Sequence, residues 1–182
     1  QRVLGLGSYQ TAWTWLHKLR RAMVRPGRER LHGSVEVLRP KRFGRIRMRR
    51  VPDVSGDSLV PFIRDVAEPG SEILKDGWGG YNSLTQHVYL HGRTVLSDSG
   101  DPAHVAMPGV HRIAALLKRW LLGIHQGAVS GKHLDTYLDE YTFRFNRRTS
   151  RSRGMLFYRL MQQAIATASV PYRQLVDGKY KM

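Results

Sequence analysis

Hydrophobic positions along this chain change period between 3.6 and 2, and the changes mark its elements. From Ser8 onward, Ala12, Trp15 or Leu16, Leu19 and Met23 recur at helical spacing, while His17, Lys18, Arg20 and Arg21 take much of the remaining surface. Ser8 is placed to cap this helix by accepting an unpaired first-turn N–H, and Pro26-Gly27 ends it. Residues 33–38 (GSVEVL) then predict a strand and Arg39-Pro40-Lys41 a turn. Residues 44–51 predict a second strand, with Ile46 and Met48 alternating against Arg45, Arg47 and Arg49. A helix is expected from Asp57 or Ser58 to Val66, with Pro61 tolerated near its first turn. Residues 72–75 (EILK) read as a short buried strand ending at Asp76. The turn Gly77-Trp78-Gly79-Gly80 leads into a short helix over 81–85, and another strand is expected over 93–96. Three helices follow, over 110–124, 132–146 and 153–168. Strands early and helices late predict a mixed α/β fold with a helical end.

Charge adds a partner to this outline. The 182 residues hold 30 Lys and Arg against 14 Asp and Glu, a formal net charge of +16. Residues 1–50 alone carry fourteen basic and two acidic residues. Such an excess favours a polyanion, and the first helix and the Arg45/Arg47/Arg49 face are the candidate contacts. The spacing leaves open whether the first helix enters a DNA groove or covers a core. With 41% apolar and 24% charged residues the composition is globular, and no apolar run reaches the ~18–20 residues of a membrane span. A cytoplasmic protein is expected. The chain has no cysteine, which excludes disulfides, thiolate zinc sites and a cysteine nucleophile.

The candidate chemistry centres on Asp76, where an apolar strand gives way to a glycine turn at the rim of an α/β sheet. Thirty-five positions on, His111 lies at the edge of the apolar stripe Val110, Ile113, Leu117, Trp120/Leu121, Ile124. Lys118 follows it two turns along the same side. A carboxylate, an imidazole and a lysine brought together would suit metal-assisted phosphoryl transfer, with the lysine holding a DNA phosphate. Magnesium prefers hard oxygen ligands, so a histidine would coordinate it weakly or through water. Taken singly, Asp76 is also an ordinary turn aspartate and His111 an ordinary surface histidine. Trp78 and Tyr81 are candidates to stack on a frayed base, or to pack the turn. No defensible metal-ligand spacing links His87, His91, His104, His125 and His133, although the loop carrying His104 leads toward His111.

At these residues the sequence resembles the ISXO2-like family of bacterial insertion-sequence DDE transposases. The resemblance is carried by GLGSYQTAWTWLHKLRRAM (5–23), GRIRMRRVPDVSGDSL (44–59), LKDGWGGYNSL (74–84) and HRIAALLKRWLLGIHQGAVSGKHLDTYLDEYTFRFNRR (111–148). It implies a ribonuclease-H-like mixed sheet with flanking helices, preceded by the basic helix. It also implies an acidic triad plus lysine, in which Asp76 is the second member, His111 the third and Lys118 the trailing lysine. Asp76 and His111 would then be metal ligands for Mg²⁺ or Mn²⁺. The implied chemistry is hydrolysis at the element's ends, followed by attack of the freed 3′-hydroxyl on target DNA. Partners would be terminal inverted repeats, target DNA and further copies of the chain, in a bacterial nucleoid setting. Expected DNA contacts are Lys18, Arg20, Arg21, Arg45, Arg47 and Arg49, joined by Arg144, Arg147 and Arg148 of the FRFNRR run. Tyr137, Tyr141, Phe143 and Phe145 are expected mostly in the core.

One departure stands out. The family's first strand reads like VEVDET, whereas here Val35-Glu36-Val37 runs into Leu38, which takes the aspartate's place. This predicts an internal deletion near 37–38 that fuses two strands and costs the sheet at least one. Glu36, on the same strand face as position 38 but about 7 Å away, and Asp53, in a loop, are poor substitutes. Residues 1–30 are expected to be a remnant of an N-terminal DNA-binding region that once included a zinc-bearing piece. Residues 31–150 would form the shortened catalytic domain and 151–182 a helical tail. The resulting expectation is a degenerate transposase that binds DNA with catalysis lost or reduced. The alternatives are a small basic non-enzymatic nucleic-acid-binding protein, and an active transposase completed by a partner chain.

Overall fold

The computed structural model describes residues 5–24, 27–36, 43–75, 89–93 and 108–178. They fall into two compact units, one built from residues 1–28 with 129–182 and the other from 29–128. The fold is α/β and mostly helical.

The second unit contains the sheet. Strand β1 (Ser34–Glu36) pairs in parallel with β2 (Glu72–Lys75), which pairs in parallel with β3 (Leu90–Arg93). The described strand order is therefore β1-β2-β3. Parallel neighbours need a crossover, and between β1 and β2 it contains helix α2 (Gly56–Val66). Val60, Ile63 and Val66 face inward from α2 at helical spacing. Val60 and Ile63, with Ala67, Ile73 and Tyr89, make the core against which Val35 packs. The Tyr89 hydroxyl donates to the Ala67 carbonyl at 3.2 Å, so the buried ring keeps its polar end satisfied. Leu31 extends the pairing, its N–H reaching Val66 O and its carbonyl accepting from Glu68 N, both at 2.7 Å. Pro61 lies inside α2 rather than in its first turn, because the helix starts at Gly56. It removes the N–H that would bond the Asp57 carbonyl.

The expected strand over 44–51 does not form: residues 43–50 carry no strand pairing. Alternation assigns side chains to faces but supplies no neighbour for the backbone, and the described sheet offers β1 only β2 as a partner. The last strand begins at Leu90 rather than 93, and residues 94–96 and 81–85 lie outside the described residues. Helix α3 (Pro108–His125) matches the expected 110–124 closely, yet only Gly109 and Ile113 on it are buried. Val110, Leu122 and Ile124 stay exposed, so the predicted apolar stripe is only partly covered.

The first unit is helical: α1 (Tyr9–Ala22), α4 (Leu134–Asn146), α5 (Arg153–Ala166) and α6 (Tyr172–Asp177). Helix α1 packs on the other three. Residues 129–150 and 151–182 thus share one unit with the N-terminal helix. The Ser8 cap forms as expected, with Ser8 Oγ accepting from Thr11 N at 3.0 Å. Helix α6 had no counterpart in the sequence reading. It ends at Gly178 in the left-handed conformation (φ 66°), where a Cβ would lie 2.9 Å from the Lys132 carbonyl oxygen.

Candidate nucleic-acid interface and catalytic positions

The arginines of α1 point the opposite way from the hydrophobic reading. Trp15 and Leu16 are about half exposed, whereas His17, Arg20, Arg21 and Ala22 are buried. The Nε of Arg20 donates to Glu140 Oε2 on α4 at 2.6 Å, with both side chains 7% exposed. The same guanidinium lies 4.5 Å from the centroid of the Tyr137 ring. Arg21 donates to the Ala168 carbonyl at 3.0 Å. On the other side of Glu140, Arg144 reaches Oε1 at 2.8 Å from a more exposed position. Burial pushes the Glu140 carboxyl up, but the hydrogen bond and charge of Arg20, with Arg144, outweigh it and hold the group below its usual range. Arg20 and Arg21 are thus structural partners of the helical unit's interior, leaving Lys18 as the exposed cation of that expected trio.

Beside this pair lies an aromatic cluster. The His17 ring is 4.0 Å from Trp13, 4.8 Å from His133 and 6.0 Å from Tyr137, centroid to centroid. Among the described residues neither nitrogen of His17 has a hydrogen-bond partner. Burial, with Arg20 and His133 nearby, lowers its pKa to about 3 and keeps the imidazole neutral. His133 is lowered too, first by burial and then by Lys132 and Arg20. Histidines 17 and 133 stand 116 positions apart, so no local spacing announces the pairing.

The remaining expected contacts are nearer the surface. Arg147 lies over the Phe143 ring at 3.9 Å and Arg148 over Phe145 at 4.0 Å. Tyr137, Tyr141 and Phe145 are buried as expected. In the sheet-bearing unit, Arg45 pairs with Glu29 at 3.0 Å and Arg49 with Asp65 at 2.8 Å, all four side chains substantially exposed. Arg47 donates to the Glu29 carbonyl at 2.8 Å. Asp53 accepts from the Ser55 backbone and hydroxyl at 2.9 and 2.5 Å, which lowers its pKa and ties it into the turn before α2. That bonding is an Asx-turn, which occupies the carboxylate with the backbone two residues on.

His111 and Lys118 are exposed on α3, seven residues and so about 10.5 Å of helix apart. Asp76, Leu38, Trp78, Tyr81, His87 and His104 lie outside the described residues. Because β1 and β2 are parallel, their carboxyl ends lie at the same end of the sheet; in sequence, Leu38 follows β1 by two residues and Asp76 follows β2 by one. Carboxyl ends of parallel strands are where α/β proteins gather functional side chains.

A family model described as the ISXO2-like transposase domain matches residues 9–146. The chain belongs to the ISXO2-like transposase family. An uncharacterized transposase-like protein of Haemophilus influenzae is 25% identical to this family member over 115 residues, covering 63% of this chain and 92% of that protein. No solved structure matches it. DDE transposases generally use a divalent metal ion, and the donor set can be tested against that need. Among the described residues no group of three or more His, Asp or Glu is placed to hold an ion. The one described candidate ligand is the His111 imidazole, a nitrogen donor where magnesium prefers oxygen.

Proposed function

We propose that this transposase-family chain binds DNA while its strand-cleaving and strand-transferring chemistry is lost or strongly reduced. The observation that carries the reading is the parallel β1–β2 pair, whose carboxyl ends share one end of the sheet and are followed in sequence by Leu38 and Asp76. Where the resemblance implies two aspartates, the sequence offers one. A lone Asp76 with His111 would hold Mg²⁺ or Mn²⁺ poorly, because hard anionic ligands are needed. The all-parallel described sheet is what remains if a ribonuclease-H-like mixed sheet loses its antiparallel part through a deletion near 37–38.

DNA binding does not need that carboxylate. Exposed ion pairs such as Arg45–Glu29 and Arg49–Asp65 are worth only about 0–1 kcal/mol, so a phosphate can displace the carboxylate at little cost. Lys18, Arg47, Arg144, Arg147, Arg148 and Lys118 complete the set assigned to phosphates. The duplex partners would be terminal inverted repeats and target DNA, engaged by more than one copy of the chain in the bacterial cytoplasm. Titration of labelled inverted-repeat duplex at several salt concentrations tests the reading. Affinity should fall steeply with salt, and Arg45→Ala/Arg49→Ala should make the log–log slope shallower by about 2. Absence of binding at ~100 mM salt up to ~100 µM protein would overturn it.

A further inference from the structure

Helix α5 begins beyond the family match, which ends at residue 146. From Tyr141 to Val176 the chain has no acidic residue, while Arg144, Arg147, Arg148, Arg151, Arg153, Arg159 and Arg173 fall within it. Arg151, Arg153 and Arg159 are exposed and form no ion pair among the described residues. Leu156, Leu160, Gln163 and Thr167 make one half-buried stripe of the helix and its end. The remainder turns large apolar groups outward: Met155 at 50% exposure, Phe157 at 68%, Tyr158 at 56% and Ile165 at 86%. Tyr158 lies between Met155 and Ile165 on one face, at spacings of three and seven, with Phe157 on its flank and Arg159 next in the chain.

We propose that this face of α5 binds single-stranded DNA, with Phe157 and Tyr158 stacking on bases and Arg151, Arg153 and Arg159 holding the phosphates between them. Two features select that partner. The guanidinium charge of Arg151, Arg153 and Arg159, which form no ion pair among the described residues, is complementary to a polyanion. Outward rings need exposed base faces, and paired DNA hides those faces inside its stack, whereas an unpaired strand presents them. The site extends the DNA-binding reading above to a second, unpaired form of the partner. It needs no metal and no carboxylate at position 38.

The test is fluorescence anisotropy of the full chain with a labelled 20-mer of thymidylate and, in parallel, with inverted-repeat duplex. Phe157→Ala/Tyr158→Ala should weaken single-strand binding at least about tenfold and leave duplex binding within about twofold. Phe157→Trp/Tyr158→Trp, which keeps two rings, should retain single-strand affinity. Arg151→Ala/Arg153→Ala/Arg159→Ala should weaken it and make its log–log salt slope shallower by about 2. Circular dichroism melts confirm that each variant folds; these side chains are exposed, so all should. Single-strand affinity unchanged in the ring-less variant, or equal weakening of single strand and duplex, would overturn the proposal. A uridylate 20-mer separates RNA from DNA: tighter RNA binding would also overturn it. Duplex binding that fails while the single-strand pattern holds would count against the proposed function and not against this site.

Discussion

Arg20 and Arg49 are the same residue type bonded to the same functional group, and the two units use them in opposite ways. In the helical unit, Arg20 is enclosed with Glu140 at 2.6 Å, each 7% exposed. In the sheet-bearing unit, Arg49 meets Asp65 at 2.8 Å with 43% and 56% exposure. The first pair has left water, so its charges hold each other and lock α1 to α4. The second remains solvated and exchangeable. Net charge therefore cannot locate an interface: part of the basic N-terminal excess is internal structure, and only its solvated part, such as Arg45 and Arg49, is open to a phosphate.

The largest expected effect breaks the buried member of this comparison. Glu140→Ala leaves Arg20 charged and enclosed, and should cost about 3–5 kcal/mol in urea unfolding. Arg20→Met/Glu140→Leu, which removes both charges together, should recover most of that loss. Asp65→Ala in the other unit should change stability by less than about 1 kcal/mol. A small effect from Glu140→Ala would erase the distinction between the two pairs.

A pH series sharpens it. His17 has an ordinary pKa of 6.5 and is held at about 3 when folded, so below 6.5 the unfolded chain binds the extra proton. Stability is then full above about pH 6.5 and falls toward pH 3, by up to ~1.4 kcal/mol per pH unit while one proton is taken up. His133 shifts in the same direction, and Glu140, also lowered, adds a loss of stability below its ordinary carboxylate range. His17→Phe should flatten the profile between pH 4 and 6.5. An unchanged slope in that variant would contradict the neutral, enclosed imidazole.

A more modest effect than that of Glu140→Ala comes from the end of α6. Gly178→Ala combines a positive φ with a Cβ 2.9 Å from the Lys132 carbonyl, and should cost about 1–2 kcal/mol. A neutral result would mean that α6 does not close against the residues before α4.

These contrasts also show what the sequence could carry. Elements whose stabilising partners are local were legible, namely Ser8 capping α1 and the helix running to Val66, and the EILK strand was legible from its short apolar run. The orientation of α1 was not, because hydrophobicity places arginine outside and the carboxylate that brings Arg20 inside stands 120 residues away. The strand over 44–51 failed for a related reason: its alternation was real, but strands exist only with a hydrogen-bonded neighbour. At the candidate site, motif order found the family and the helix bearing His111 and Lys118. The departure at the implied first aspartate rests on the sequence alone, where Leu38 follows Val35-Glu36-Val37. The His17–His133 cluster was invisible, since two unrelated helices create it.

The proposed function is DNA binding without cleavage, in a transposase-family chain with Leu38 where the resemblance implies the first aspartate. The direct measurement is incubation of the purified 182-residue chain with labelled inverted-repeat duplex and Mg²⁺ or Mn²⁺, beside Asp76→Ala. The duplex is expected to be bound and to stay intact, with both proteins giving the same background. Strand cleavage by the unsubstituted chain that disappears in Asp76→Ala would contradict it.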